Sequence, residues 1–435
     1  MQYVYVAGAG TDAAIDLAIT KQTRLALYSL IGGFRSQDFG LHTTEAVACD
    51  IAKFDGKFIA PIDGDTFADS GGYSFIVGEK APKDLPVMID CYNVYLESER
   101  DIFDYIFSLD IPFSLKYKEF NTRKNIFEAN EKSLVESQEV LANYKELQSK
   151  FFFVWHFKMK EQFKVWKSLY SSLGMDKVIR NHAVGGMVGL KKAANISFCP
   201  FTGMSFYILN CHLQGPFAGD DFRMHYLGVY SREDRFHIAF LEKLFNGYLS
   251  GASAVQMSYD SINPIHTVRM NAAVPLYSFN GKKFDVFPSL LDVPEKVLHN
   301  IAVDDAHAQM VLSEIERRRA GLRLENSASF GPLNVYSNLQ LDKFFSMIID
   351  QYDLMGVMGK SPSPLSLRGC LTRIFNDIEK RYPKAFSSHM KDVIKLNLER
   401  TWSWHKWFIG KHDEATLDAK MSTEIEEIGF PADLR

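Results

Sequence analysis

Three aspartates stand just past apolar runs in this 435-residue chain: Asp69, Asp110 and Asp260. A carboxylate delivered by the end of a strand can act as nucleophile, general acid or general base. Two of them facing one sugar are the usual apparatus of glycosidic-bond chemistry. Aspartates at strand ends also cap the helices that follow, so position alone leaves both uses open. The first of the three lies in Phe67-Ala68-Asp69-Ser70-Gly71-Gly72-Tyr73. There an apolar run delivers the carboxylate, and a small hydroxyl follows it. Gly71 and Gly72 permit a tight turn and close approach of backbone to a ligand. Tyr73 offers a flat face for stacking. The same residue types make ordinary solvated turns, so the stretch becomes informative only with its context.

The elements that must position these residues read as strands alternating with helices. Strands are expected at 3–7, 58–62, in the run into Asp69, at 87–90, at 107–109 ending in Asp110, at 151–156, 178–184, 224–229 and 254–257. Helices are expected at 123–149, at 160–173 with a stop at Gly174, and at 235–249 behind a capping-box pattern, Ser231-Arg232-Glu233-Asp234. Strands regularly followed by helices imply parallel pairing. About eight such units suit an α/β fold of the (β/α)8, TIM-type barrel class, whose active sites lie where strands end. The doubly wound alternative lacks its fingerprint, because Val6-Ala7-Gly8-Ala9-Gly10 has no third glycine at the required spacing. Beyond residue 295 the pattern turns helical, at 295–322, 339–358, 371–381 and 389–411. The expected organisation is a barrel over 1–295 and a C-terminal helical extension over 296–435.

Composition bounds the remaining classes. At 46% hydrophobic and 23% charged residues, the chain can bury a large core. A net charge of −4 gives no global basic field, while a local basic groove stays open. Five scattered cysteines without a CxxC pair argue for a reducing, cytoplasmic setting, and no apolar stretch approaches membrane-spanning length. The basic and tryptophan-bearing segment 380–411 could grip a phosphate backbone or form a packed amphipathic helix. His212, His225 and His237 read as structural histidines.

The ordered set of motifs resembles the tRNA-guanine transglycosylase superfamily. Asp69-Ser70-Gly71-Gly72-Tyr73 is similar to its Asp-Ser-Gly-Gly-aromatic turn, and Gly185-Gly186-Met187-Val188-Gly189 to its glycine loop. Tyr226-Leu227-Gly228-Val229 is similar to its Tyr-Leu-(Met)-Gly-Val stretch, and Tyr259-Asp260-Ser261 occupies the place of its nucleophile. There are departures. The zinc-binding CxCxxC of the tRNA enzymes is missing, and Cys370 with His389 offers at most two ligands, so no metal and no cofactor is expected. The family's Gln-Gly-Gly is replaced by Trp155-His156-Phe157, which leaves open whether Trp155 or His156 faces the base. With no recognisable RNA-binding appendage, the chain looks like the DNA-modifying branch found in bacterial modification clusters and bacteriophages.

The resemblance implies a double displacement at C1′ of a guanosine nucleotide, inserting a 7-deazaguanine of the preQ0 type. Asp260 would be the nucleophile and Asp69 the acid/base. Asp110 would read the guanine edge, and Ser70, Gly71, Gly72, Tyr73, His156, Gly185, Gly186 and Met187 would line the base site. The implied partners are DNA with a flipped or single-stranded guanine and the free base, with no membrane. An accessory protein or a homodimer fits equally. The setting would be cytoplasmic, the host's if phage-encoded. The competing expectations are a tRNA enzyme, a non-catalytic nucleic-acid-binding subunit of the same fold, and an unrelated glycoside hydrolase.

Overall fold

The computed structural model describes residues 1–6, 19–29, 64–70, 85–98, 103–111, 123–157, 160–186, 198–229, 231–251, 253–261, 275–302, 304–322, 330–410 and 413–428. Eight parallel strands close into a barrel in chain order: β1 (Gln2–Val6), β2 (Leu25–Ser29), β3 (Asp65–Asp69), β4 (Tyr105–Phe107), β5 (Phe151–His156), β6 (Asn181–Gly185), β7 (Phe222–Tyr226) and β8 (Val255–Asp260). Helices such as Arg123–Asn143, Lys160–Ser172, Thr202–Gln214 and Arg232–Leu249 follow the strands, and further helices make up the C-terminal part. This is the (β/α)8, TIM-type fold that the alternation predicts. A two-stranded antiparallel ribbon, β9 (Leu276–Phe279) with β10 (Phe284–Phe287), was not anticipated.

Strand parity decides which side chains fill the barrel, because successive residues point to opposite faces. Phe67, Phe107 and Phe152 meet inside, together with the His225 ring. Their centroids lie 5.9 Å apart for Phe67 and Phe107, 5.0 Å for Phe107 and Phe152, and 4.9 Å for Phe107 and His225. The intervening residues of β5 pack outward: Phe153 and Trp155 lie against Trp166 and Tyr170, and Trp155 also against Tyr207. The closing helix Glu414–Ile428 is tied to this layer by Lys167 to Asp418 at 2.5 Å and by the Gly203 amide to Glu424 at 3.0 Å.

The chain divides into two compact units. One comprises Leu25–Leu227, Leu249–Ser258 and Lys411–Arg435; the other comprises Met1–Arg24, Gly228–Tyr248 and Tyr259–Gly410. The second is organised on a buried cation. Arg235 donates to Asp342 through Nε at 2.9 Å and Nη2 at 2.5 Å, and to the Asn338 carbonyl at 2.6 Å. The Tyr259 hydroxyl donates to the other Asp342 oxygen at 2.5 Å. Both Arg235 and Asp342 are buried, so each needs the other to offset its desolvation.

Several elements differ from the sequence expectations. Residues 87–90, expected as a strand, lie inside the helix Leu85–Ser98. Among its described side chains Ile89, Tyr92, Asn93 and Leu96 are buried, at a 3–4 spacing that the short run Val87-Met88-Ile89-Asp90 cannot reveal. β2 was missed, and the strand expected at 58–62 lies outside the described residues. Residues 295–322 form two helices, Glu295–Ile301 and Asp305–Arg319, because Asp304 caps the second by accepting from the His307 amide at 2.7 Å. The helix expected from 371 begins at Pro364, where Ser363 caps it and proline suits the first turn. Ser231 accepts from the Asp234 amide at 3.1 Å, as the capping pattern predicts. Among the described residues, no helix is long and apolar enough to cross a membrane.

His182 on the outer face of β6 yields a pH prediction. The Trp155 indole donates to its Nδ1 at 3.2 Å, which requires a lone pair there. Burial, with a smaller contribution from His212, lowers the His182 pKa to about 3. The folded value lies below the unfolded value of about 6.5, so the unfolded chain takes up the proton first as pH falls. Stability from this group is complete above about pH 6.5 and declines toward pH 3, by up to about 1.4 kcal/mol per pH unit. His182→Gln keeps an acceptor but does not titrate. Urea midpoints at pH 7 and pH 4.5 should draw closer together in the variant, and an unchanged gap would refute the assignment.

Candidate active site

Parity puts Trp155 and His156 on opposite faces of β5. His156 ends β5 on the same face as Phe152 and Val154, inside the barrel, whereas Trp155 belongs to the helix layer. The His156 carbonyl is held by the Trp166 indole.

Asp110 is brought to this imidazole by the segment that leaves β4. The Ser108 amide donates to the Phe152 carbonyl at 2.9 Å, and its hydroxyl accepts from the Val154 amide at 3.0 Å. One turn on, Asn130 of the helix Arg123–Asn143 accepts from the Ile111 amide at 2.7 Å and donates to its carbonyl at 3.0 Å. Asp110 is thus pinned from both sides. His156 Nδ1 donates to Asp110 Oδ2 at 2.6 Å, and the Ser70 hydroxyl donates to Asp110 Oδ1 at 3.4 Å. Asp110 is 6% exposed and His156 7%, so this is a buried, charge-assisted contact. The second ring nitrogen, His156 Nε2, is buried and has no hydrogen-bond partner among the described residues.

Glycines border the same ring. Gly185 ends β6 in register with His156. Gly186 has φ +75°, and a Cβ placed on it would sit 2.6 Å from both Cδ2 and Nε2 of His156. Only glycine suits both the backbone conformation and that separation. Asp69 is the last residue of β3, half-buried, with Ser70 following it into the cluster.

In the other unit, Asp260 ends β8 and is 8% exposed. Its Oδ1 accepts from the Gly228 amide at 2.9 Å, and Gly228 has φ +73°. The turn after β7 thereby aims a backbone donor at this carboxylate, a role that the sequence pattern Tyr226-Leu227-Gly228-Val229 did not disclose. Gly71, Gly72, Tyr73 and Met187, also expected in the base site, lie outside the described residues.

Other candidates take structural places. His225 Nδ1 lies 2.9 Å from the Ser258 hydroxyl inside the barrel, and His212 stacks on Phe222 at 4.0 Å. Burial lowers the His212 pKa. His237 is buried. Among the described residues no cluster of three or more His, Cys, Asp or Glu side chains could hold a metal ion. The basic segment forms the helix Ser388–Ile409 and the end of the one before it, with Lys391 on Glu379 at 2.8 Å and Arg381 on Asp377 at 2.9 Å. Trp404 is buried. No protein-family model matches the chain, and no curated protein matches it.

One unit offers a strand-end carboxylate steadied by one amide; the other offers a strand-end carboxylate and an imidazole oriented by a further one. Gly186→Ala tests the packing at the ring. The added methyl must move His156 or the backbone, and the positive φ disfavours it as well. A loss of about 1–3 kcal/mol is expected from urea denaturation. Gly174→Ala shares the positive φ but has open space around its Cβ position, so it should cost less. Equal losses would remove the steric argument for Gly186.

Proposed function

We propose that the protein is a base-exchange transglycosylase that replaces guanine in DNA with a 7-deazaguanine. The observation that carries this reading is the set of carboxylates at strand ends, with Asp69 closing β3, Asp260 closing β8, and Asp110 three residues past β4. Barrel enzymes keep their chemistry at these ends. The resemblance to the tRNA-guanine transglycosylases assigns a nucleophile, an acid/base and a base reader to the same three positions.

In this reading an Asp260 oxygen attacks C1′ from the face opposite the base, giving a covalent glycosyl-enzyme. The amide of Gly228 steadies the carboxylate through its Oδ1. Asp69 carries the acid/base work at the glycosidic nitrogen. Beyond its contacts to His156 and Ser70, the Asp110 carboxylate keeps lone pairs that would accept from the donor edge of guanine, an edge that adenine lacks. Two inversions give net retention. The target base must leave the stack before C1′ becomes accessible to attack from that side. A DNA substrate is favoured over tRNA because the zinc-binding cysteines are absent from the sequence.

The experiment is incubation with labelled guanine and, separately, duplex DNA, single-stranded DNA and tRNA. Label should enter DNA. Label entering only tRNA would move the protein to the RNA-modifying branch, and label entering neither would reject exchange by this chain alone. Asp260→Ala should abolish both exchange and the covalent adduct, a loss of at least about 10³-fold, with the urea midpoint little changed. Asp69→Asn should lower exchange by about 10²–10⁴-fold. Full activity in either variant would remove the role assigned to that residue.

A further inference from the structure

A carboxylate–imidazole pair is an unusual device for merely reading a base. Reading guanine's donor edge needs acceptors, and a lone Asp110 would supply them. Here Asp110 Oδ2 instead binds His156 Nδ1 at 2.6 Å, while Ser70 approaches Oδ1 at 3.4 Å. This contact sets Nδ1 as the nitrogen that donates to the carboxylate and turns Nε2 away from it. Nε2 is buried without a partner among the described residues. A buried polar atom left in this state costs free energy unless something fills it. The glycine at 186 keeps side-chain atoms away from that nitrogen, since even a methyl would come within 2.6 Å. Among the described residues Asp110 is the charged group in contact with the ring, Gly185 and Gly186 border it, and the Trp166 indole is on its backbone carbonyl.

We propose that His156, oriented by Asp110, takes over from Asp69 the acid step on the departing guanine, protonating it at N7, and that Asp69 acts only as base toward the incoming one. The inference rests on the base-exchange reading above. If Asp110 accepts from N1–H and the exocyclic amine, the neighbouring acceptors round the ring are O6 and then N7, on the side open to an imidazole bound to the same carboxylate. The step balances. The Asp260 oxygen bonds to C1′ as the C1′–N9 bond breaks, and that electron pair stays with the base. The Nε2 proton moves to N7, giving neutral guanine and a neutral imidazole. In the return half-reaction, N9 of the incoming base bonds to C1′ as the Asp260 ester bond breaks. The N9 proton passes to Asp69, and His156 regains its proton from water.

This chemistry gives the exchange a direction. A 7-deazaguanine has carbon where guanine has N7, so once installed it presents no ring nitrogen there for His156 to protonate. Its departure lacks the acid step that guanine's departure uses.

The test compares release of the base from two DNA substrates that differ only at the target, guanine against 7-deazaguanine, in single-turnover reactions with the full chain. Wild type should release guanine faster by about 10²–10³-fold. His156→Gln retains a hydrogen-bonding amide but cannot act as an acid, and it should bring guanine release down to the 7-deazaguanine level. The ratio is read within one preparation, so the fraction of folded protein cancels. His156→Asn gives a second, shorter amide should the first variant fold poorly. A ratio in the variants equal to that of wild type overturns the proposal, as does a wild type that shows no preference. Equal losses on both substrates would make His156 a positioning residue and overturn its acid role. If wild type releases neither base, this inference falls together with the base-exchange reading. If wild type exchanges and only the ratio is unaffected, the inference falls alone.

Discussion

Everything polar in this barrel is constrained by the aromatic filling at its middle. Phe67, Phe107, Phe152 and the His225 ring occupy the interior, so no ligand enters there and chemistry is confined to the strand ends. At the N-terminal ends the solution is self-contained. Arg223 pairs with Asp65 at 3.3 Å and lies 4.3 Å over the Tyr105 ring, so charge meets charge and π-face. Two residues beyond Phe67 along β3 stands Asp69, and four beyond Phe152 along β5 stands His156. At the C-terminal end of β5, His156 Nε2 is a buried ring nitrogen without a hydrogen-bond partner among the described residues.

Parity is also what made part of the site legible and part of it not. The run Phe151-Phe152-Phe153-Val154-Trp155-His156 announces a strand buried on both faces, since no polar residue interrupts it before the end. The same uniformity hides which alternate residues face inward, and the ring contacts settle it, with Phe152 against Phe107 and Trp155 against Tyr170. The aspartates at strand ends could be read because a carboxylate after an apolar run is a local event. The Asp110–His156 contact could not, because 46 residues separate its partners and nothing local in either segment points to the other. The helix Leu85–Ser98 was misread for a related reason. Three consecutive apolar residues, Val87-Met88-Ile89, satisfy a buried strand and a helix stripe equally, and the packing of Ile89, Tyr92 and Leu96 makes the decision.

Two glycines with positive φ serve opposite purposes at the strand ends. Gly228 turns the chain so that its amide reaches the Asp260 carboxylate, an interaction that any residue could supply were its backbone free to adopt φ +73°. Gly186 is required for what it lacks, because the place a Cβ would take is beside His156 Nε2. The motif view treats glycines alike as permission for close approach. The coordinates separate a conformational requirement from a steric one, and only the second bears on the imidazole.

The charge distribution then limits how a polymer can be held. A basic helix face strengthens nucleic-acid binding by releasing counterions condensed on the phosphates. Lysines already neutralised by neighbouring carboxylates contribute less to that release. In the C-terminal helices Lys391 is on Glu379, Lys395 on Asp392, Arg381 on Asp377 and Arg368 on Glu399. Trp402 donates its indole N–H to the Ser361 carbonyl at 2.9 Å, and Trp404 is buried, so these rings are engaged within the fold. With a net charge of −4 overall, affinity for a DNA backbone has little support from this segment. The buried Asp110–His156 contact owes nothing to this segment, so whatever selectivity the proposed reaction has rests on that pair rather than on the C-terminal helices.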